Sequence, residues 1–183
     1  MNEYTNERIQ KEGESERLAY FLDEYFNITG ERIEVLESTE RPDFICSKEN
    51  GSKIGIELTM VTRGDLQLIQ YDKIIEKMDF MSIEDAIDMI QWRAILKEEK
   101  RSKGNWKLPD ANILVIELTD IPLSWIEHTI SSELFPDLYS TGFMEVWLAD
   151  FTGIEAYDNI ETFCVQPEEL AGYYPREIQK PYG

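Results

Sequence analysis

Two apolar runs, Phe44-Ile45-Cys46-Ser47 and Ile54-Gly55-Ile56-Glu57-Leu58-Thr59, lie on either side of Asn50-Gly51. Asn-Gly between such runs is the strongest short-range signal for a β-hairpin, because both residues tolerate a positive φ. Two registers remain open. A two-residue loop of Asn50 and Gly51 sets Phe44 opposite Glu57 and sends Asp43 to the other face. A three-residue loop of Glu49, Asn50 and Gly51, with Gly51 left-handed in a bulge, sets Asp43 opposite Glu57 on one face. The residue pattern supports the second register. It gathers Phe44, Cys46, Ile54, Ile56 and Leu58 into an apolar layer and leaves Asp43, Ile45, Gly55, Glu57 and Thr59 on the opposite face, with Gly55 leaving room for a ligand.

Around the hairpin, Leu18, Phe21, Leu22, Tyr25 and Phe26 recur at helical spacing and predict a helix over Ser15 to Phe26 that ends near Gly30. Arg32 to Glu37 alternates as a strand. Leu66 to Met78 and Ile83 to Lys103 carry apolar residues three and four apart, which predicts two helices. Asn112 to Leu118 is a buried strand and Pro122 to Leu134 a helix. Glu145 to Ala149, Ile154 to Tyr157 and Thr162 to Val165 are expected as late strands. Nothing in the 183 residues looks like a linker. The expected architecture is one α/β domain over 1–183, a mixed central sheet flanked by helices.

Charge narrows the function classes. Asp and Glu number 37 against 18 Lys and Arg, a net charge of -19. Coating of nucleic acid by bulk electrostatics needs clustered basic residues and is excluded. One stretch runs the other way: Trp92 to Lys107 holds Arg93, Lys97, Lys100, Arg101, Lys103 and Lys107 against Glu98 and Glu99. It is the place where a phosphate backbone would bind, or else an ordinary solvated helix face. His128 and two cysteines cannot build a zinc site without help from carboxylates, so any metal should be a hard cation on oxygen. Cys46 and Cys164 read as reduced thiols of a cytoplasmic chain. No secretory leader or membrane-spanning run is expected. No phosphate-cradling glycine loop speaks for nucleotide binding, and His128 with Ser124 or Ser131 lacks the glycines of a nucleophile elbow. His128 reads as a partly buried core residue, and Trp147, Phe151, Tyr157, Tyr173 and Tyr174 as core and edge packing.

The chemistry-bearing segment is then Pro42-Asp43, the hairpin, and Glu57-Leu58-Thr59. Two carboxylates with the main-chain carbonyl of Leu58 suit Mg²⁺ or Mn²⁺, and such an ion can activate water for phosphodiester hydrolysis. Here the chain resembles the PD-(D/E)XK nuclease superfamily, with its restriction-endonuclease-like fold, over about its first two thirds. The resemblance implies Asp43, Glu57 and Leu58 as metal-binding positions. It further implies an acid on the first helix, Glu16, with Glu14 and Glu24 as rivals. Gln67-Leu-Ile-Gln-Tyr71 is similar to a Gln-x-x-x-Tyr pair of some branches, and would orient water or substrate. Where the family has its lysine, this chain has Thr59, which cannot supply a positive charge. Lys73, Lys77, Lys97 and Lys100 are candidates to supply it instead. Pro109-Asp110 and Glu117-Leu118-Thr119 repeat the motif's letters, but on one strand Asp110 and Glu117 would stand about 23 Å apart. Glu117 is therefore read as the end of a core strand.

The resulting expectation is a Mg²⁺-dependent nuclease acting on DNA or RNA, as a monomer or homodimer. Its contacts to nucleic acid would come from Arg93, Lys97, Lys100, Arg101 and Lys103. The alternative is a non-catalytic acidic protein on the same fold, an inhibitor, immunity protein or nucleic-acid mimic that meets a basic protein partner.

Overall fold

In a computed structural model, which describes residues 3–62, 81–108, 110–130 and 141–176, the hairpin takes the three-residue loop. Gly51 sits at φ +82°. Its amide donates to the Lys48 carbonyl at 2.9 Å, and the Lys48 amide donates to the Ser52 carbonyl at 2.9 Å. The Asn50 side chain accepts from the Ser52 amide and tightens the bend. From that loop the ladder pairs Ser47 with Lys53, Cys46 with Ile54, Ile45 with Gly55 and Phe44 with Ile56.

Along the chain run α1 (Glu3–Thr29), β1 (Ile33–Ser38), β2 (Phe44–Lys48), β3 (Lys53–Val61), α2 (Ile83–Lys103), β4 (Asn112–Leu118), α3 (Leu123–Thr129), β5 (Glu145–Asp150), α4 (Ile154–Tyr157), β6 (Glu161–Gln166) and β7 (Gly172–Tyr174). The seven strands form one sheet in sequence order. β3, β4 and β5 are parallel neighbours, and antiparallel strands extend the sheet on both sides. The chain is thus α/β, with a mixed seven-stranded sheet flanked by helices.

Two apolar layers cover the sheet. On one face Leu18, Phe21 and Tyr25 of α1 pack on Phe44, Cys46, Ile54, Ile56, Leu58, Ile113, Val115 and Trp147. On the other, Ala86, Ile87, Met89, Ile90 and Ala94 of α2 and Leu123 and Ile126 of α3 pack on Val61, Leu114, Ile116, Leu118, Val146 and Leu148. Both crossover helices lie on one face because successive parallel connections of one hand, stepping the same way across a sheet, return on the same side. Among the described residues no helix is long and apolar enough to cross a membrane.

Four expectations need correction. Ile154–Tyr157 is a helical turn, closed by the Asp158 amide on the Ile154 carbonyl at 2.9 Å. A four-residue apolar run carries too little periodicity to tell strand from helix. Tyr157 is 58% exposed and belongs to neither core nor edge packing. The His128 side chain is 95% exposed beside Glu127, not partly buried. Gly55 does not leave space for a ligand: a Cβ there would run into Asn112 Oδ1 and Pro42, so the bare backbone admits those two side chains. The expected helix over Leu66 to Met78, and the last four residues, 131–134, of that over Pro122 to Leu134, Ser131 among them, lie outside the described residues.

Gly51 has open space around its Cα, so a side chain there meets only the cost of the left-handed conformation. Gly51→Ala should lower stability by about 1 kcal/mol, read from the urea midpoint, and Gly51→Asn by less.

Candidate functional site

β2 begins at Phe44, opposite Ile56, while β3 continues to Val61. From Glu57 onward β3 therefore loses its β2 partner, and side chains take over the ladder. The Leu58 amide donates to Asp43 Oδ2 at 2.8 Å. In return the Asp43 amide donates to Glu57 Oε2 at 3.2 Å. Each carboxylate accepts from a main-chain amide at or beside the other. The pair sits side by side in a notch at the rim of the sheet.

Alternation along β3 fixes which way Glu57 points. Its neighbours Ile56 and Leu58 belong to the α1 layer, so Glu57 faces α2. There Lys97 Nζ donates to Glu57 Oε1 in a nearly buried ion pair. Lys97 lies two turns past the buried Ile90 and about one turn past the buried Ala94, so it continues the core stripe of α2, which aims its ammonium at β3. Thr59, on the same face, is buried and carries no charge.

The pair is electrostatically loaded. Burial, then the negative charge of Glu57, push the Asp43 carboxyl from 3.8 up to about 7; Lys97 and the Leu58 hydrogen bond pull the other way. Glu14 of α1 adds to the rise. It is thus Glu14 whose charge reaches Asp43, whereas Glu16 is exposed and acts on Tyr20. Glu24 accepts from Asn27 within α1. Gln67, Tyr71, Lys73 and Lys77 lie outside the described residues.

The basic stretch of α2 is largely occupied within the protein. Lys97 is on Glu57; Arg101 grips Glu98 at 2.8 and 2.9 Å; Lys103 reaches Glu99 at 3.4 Å; Lys107 pairs with Glu37 at 2.9 Å. Arg93 stacks beside Trp92, and Lys100 is exposed. Cys46 and Cys164 are buried and free, and burial pushes both thiols up, Cys46 to about 12. Neither is poised as a nucleophile.

A buried ion pair of Arg17 with Glu117 is not foreseen in the sequence. Glu117, 2% exposed, accepts from Arg17 Nε at 3.0 Å on both its oxygens. Ile116 and Leu118 belong to the α2 layer, so Glu117 faces α1, on the opposite side of the sheet from Glu57. The available signal was the acid itself within Asn112–Leu118, since a charge inside a core strand needs a partner.

Among the described residues no group of three or more His, Cys, Asp or Glu side chains is arranged to hold a metal. What is present is an all-oxygen pair, Asp43 and Glu57. The Leu58 carbonyl leaves the same strand edge as the Leu58 amide that meets Asp43. This donor set fits Mg²⁺ or Mn²⁺, since Mg²⁺ is commonly held by one or two carboxylates and fills its remaining positions with water and phosphate. The raised Asp43 carboxyl fits as well, because two adjacent negative charges are what a divalent cation offsets.

Lys97→Met leaves Glu57 buried without its cation and should cost about 3 kcal/mol or more of unfolding free energy, whereas Lys97→Met with Glu57→Met should recover most of it. Because the folded Asp43 carboxyl titrates above its unfolded value, its contribution to stability is full below about pH 4 and lost as pH rises toward 7. In EDTA, wild-type stability should decline across that window, and Asp43→Asn should flatten the decline in denaturant titrations.

Compared with known proteins, the chain matches no family model, no curated protein and no solved structure.

Proposed function

We propose that this chain is a metal-dependent nuclease of restriction-endonuclease-like fold, hydrolysing phosphodiester bonds of DNA or RNA. The observation that carries the reading is the ion pair of Lys97 with Glu57 beside Asp43. The PD-(D/E)XK pattern has its lysine where this chain has Thr59, and α2 supplies a lysine to the same carboxylate from across the face of the sheet. The seven-stranded mixed sheet, the helix before the hairpin and the helix and strand after it are compatible with that fold.

In this reading Asp43, Glu57 and the Leu58 carbonyl would hold Mg²⁺ or Mn²⁺. The ion supplies polarisation of a phosphoryl oxygen and a bound water of lowered pKa. The chain's own residues do the rest. Lys97 uses one N–H on Glu57 Oε1 and keeps two for a substrate oxygen as negative charge builds on the phosphorus. Glu57 keeps the ammonium oriented. The Leu58 amide holds Asp43 Oδ2, and Oδ1 would be left to the ion. The hydroxyl of Thr59 adds polarity on the face of Glu57, and Gln67 and Lys73 remain proposed as orienting and cationic helpers. Lys100 and Arg93 remain proposed as backbone contacts; Arg101 pairs with Glu98 and Lys103 with Glu99.

The net charge of -19 and the pairing of Arg101, Lys103 and Lys107 with acids favour a second reading, an acidic protein that binds a basic partner. One experiment separates the two. Purified protein is incubated with single- and double-stranded DNA and RNA in Mg²⁺ or Mn²⁺. The nuclease reading expects cleavage that EDTA stops and that Glu57→Ala and Lys97→Met each lower about a hundredfold or more, with folding checked by circular dichroism. Absence of cleavage of every substrate, together with salt-sensitive capture of a basic protein unaffected by Glu57→Ala, would establish the second reading instead.

A further inference from the structure

The ion pair of Arg17 and Glu117 has no part in the site derived above, and its geometry is unusual. A guanidinium commonly meets a carboxylate with two nitrogens. Here Nε alone lies 3.0 Å from both Oε1 and Oε2. Arg17 carries five N–H donors, and the four on Nη1 and Nη2 have no acceptor among the described residues. The Arg17 side chain is 28% exposed while its partner is buried, so the guanidinium is gripped on one side and open on the other.

Its surroundings connect it to the notch. Nη1 lies over Gly13, 3.2 Å from where a Cβ would stand, so the absent side chain lets the guanidinium lie along the helix. Next to Gly13 is Glu14, whose charge reaches both Asp43 and Glu117, and the charge of Lys97 reaches Glu117 as well. Past Phe44 no β2 backbone separates the two faces of the sheet. Arg17 therefore stands on the α1 side of the same rim at which Asp43, Glu57 and Lys97 stand on the α2 side.

We propose that Arg17 binds a backbone phosphate of the nucleic-acid substrate, held for that task by Glu117. The inference rests on the nuclease reading and adds to it a second phosphate contact from the opposite face of the sheet. A planar guanidinium fixed at Nε presents its Nη donors to phosphate oxygens with little further loss of freedom. Glu117 is a positioning residue and does not touch substrate.

The test counts phosphate contacts through salt dependence. Binding of a fluorescein-labelled DNA duplex is followed by anisotropy from low to moderate salt, with Ca²⁺ in place of Mg²⁺ to suppress cutting. Wild type is compared with Arg17→Lys and with a pair replacement in two versions, Arg17→Met with Glu117→Met and Arg17→Gln with Glu117→Gln. Either pair replacement removes both charges together and so avoids an orphaned buried acid. The plot of log affinity against log salt should become shallower by about 0.9 in the pair replacements. Arg17→Lys should keep the slope but bind more weakly. A purely structural role would weaken binding and leave the slope unchanged in all variants. An unchanged slope, with wild-type binding and cleavage intact, overturns the role of Arg17 and leaves the nuclease standing. A wild type that does not bind the duplex and cuts neither single- nor double-stranded DNA or RNA overturns both.

Discussion

Everything at the candidate site depends on the register of one hairpin. Gly51 in the left-handed region closes a three-residue loop, and from there each pair across β2 and β3 follows by counting to Phe44 with Ile56, just beyond which Asp43 meets Glu57. A slip of one residue would turn Asp43 to the other face and carry Phe44 and Cys46 out of the α1 layer. Correct burial of that layer and juxtaposition of the acids are therefore the same event. The core enforces the register, and the register brings the acids together.

The notch then determines the electrostatics. Where β2 stops, Leu58 would lose an acceptor for its amide, and Asp43 supplies one with its carboxylate. The cost is a negative charge in a poorly solvated place beside a second one. Lys97 answers on the α2 side. On the α1 side the sheet buries a further acid, Glu117, answered by Arg17. Two cations thus arrive from the two helical layers at one rim. Of the remaining basic residues of α2 and its exit, Arg101, Lys103 and Lys107 pair with Glu98, Glu99 and Glu37.

Much of the fold was legible because its segments carry a clear period. α2 runs over the predicted Ile83 to Lys103 and β4 over the predicted Asn112 to Leu118. α1 extends beyond Ser15 to Phe26 at both ends, running through Gly13, and it stops at Gly30 with φ +71°. Short segments misled. Ile154–Tyr157 has the composition of a strand, but Asp150 ties the following turn by accepting from Thr152, and the chain coils instead. β7, three residues long, gave no periodic signal. At the site, the pairing of Asp43 with Glu57 could be counted from the loop, while the source of the cation could not. Four lysines were candidates, and choosing Lys97 required knowing how α2 lies across β3.

By itself, then, the sequence determined the hairpin and the absence of a lysine two residues after Glu57, and it favoured the register that forms the apolar layer under α1 and puts Asp43, Glu57 and Thr59 on the other face. These are local properties, set by turn chemistry and the two-residue period of a strand. Tertiary structure decided that Lys97 takes up Glu57, that Glu14 rather than Glu16 acts on Asp43, that Gly55 is filled by Pro42 and Asn112, and that Arg17 and Glu117 meet across 100 residues. The Gly55 contact follows from the register of β4 against β3, and the others depend on the rotation and offset of helices packed on a sheet, which are settled by the fit of whole apolar faces rather than by any short stretch of residues.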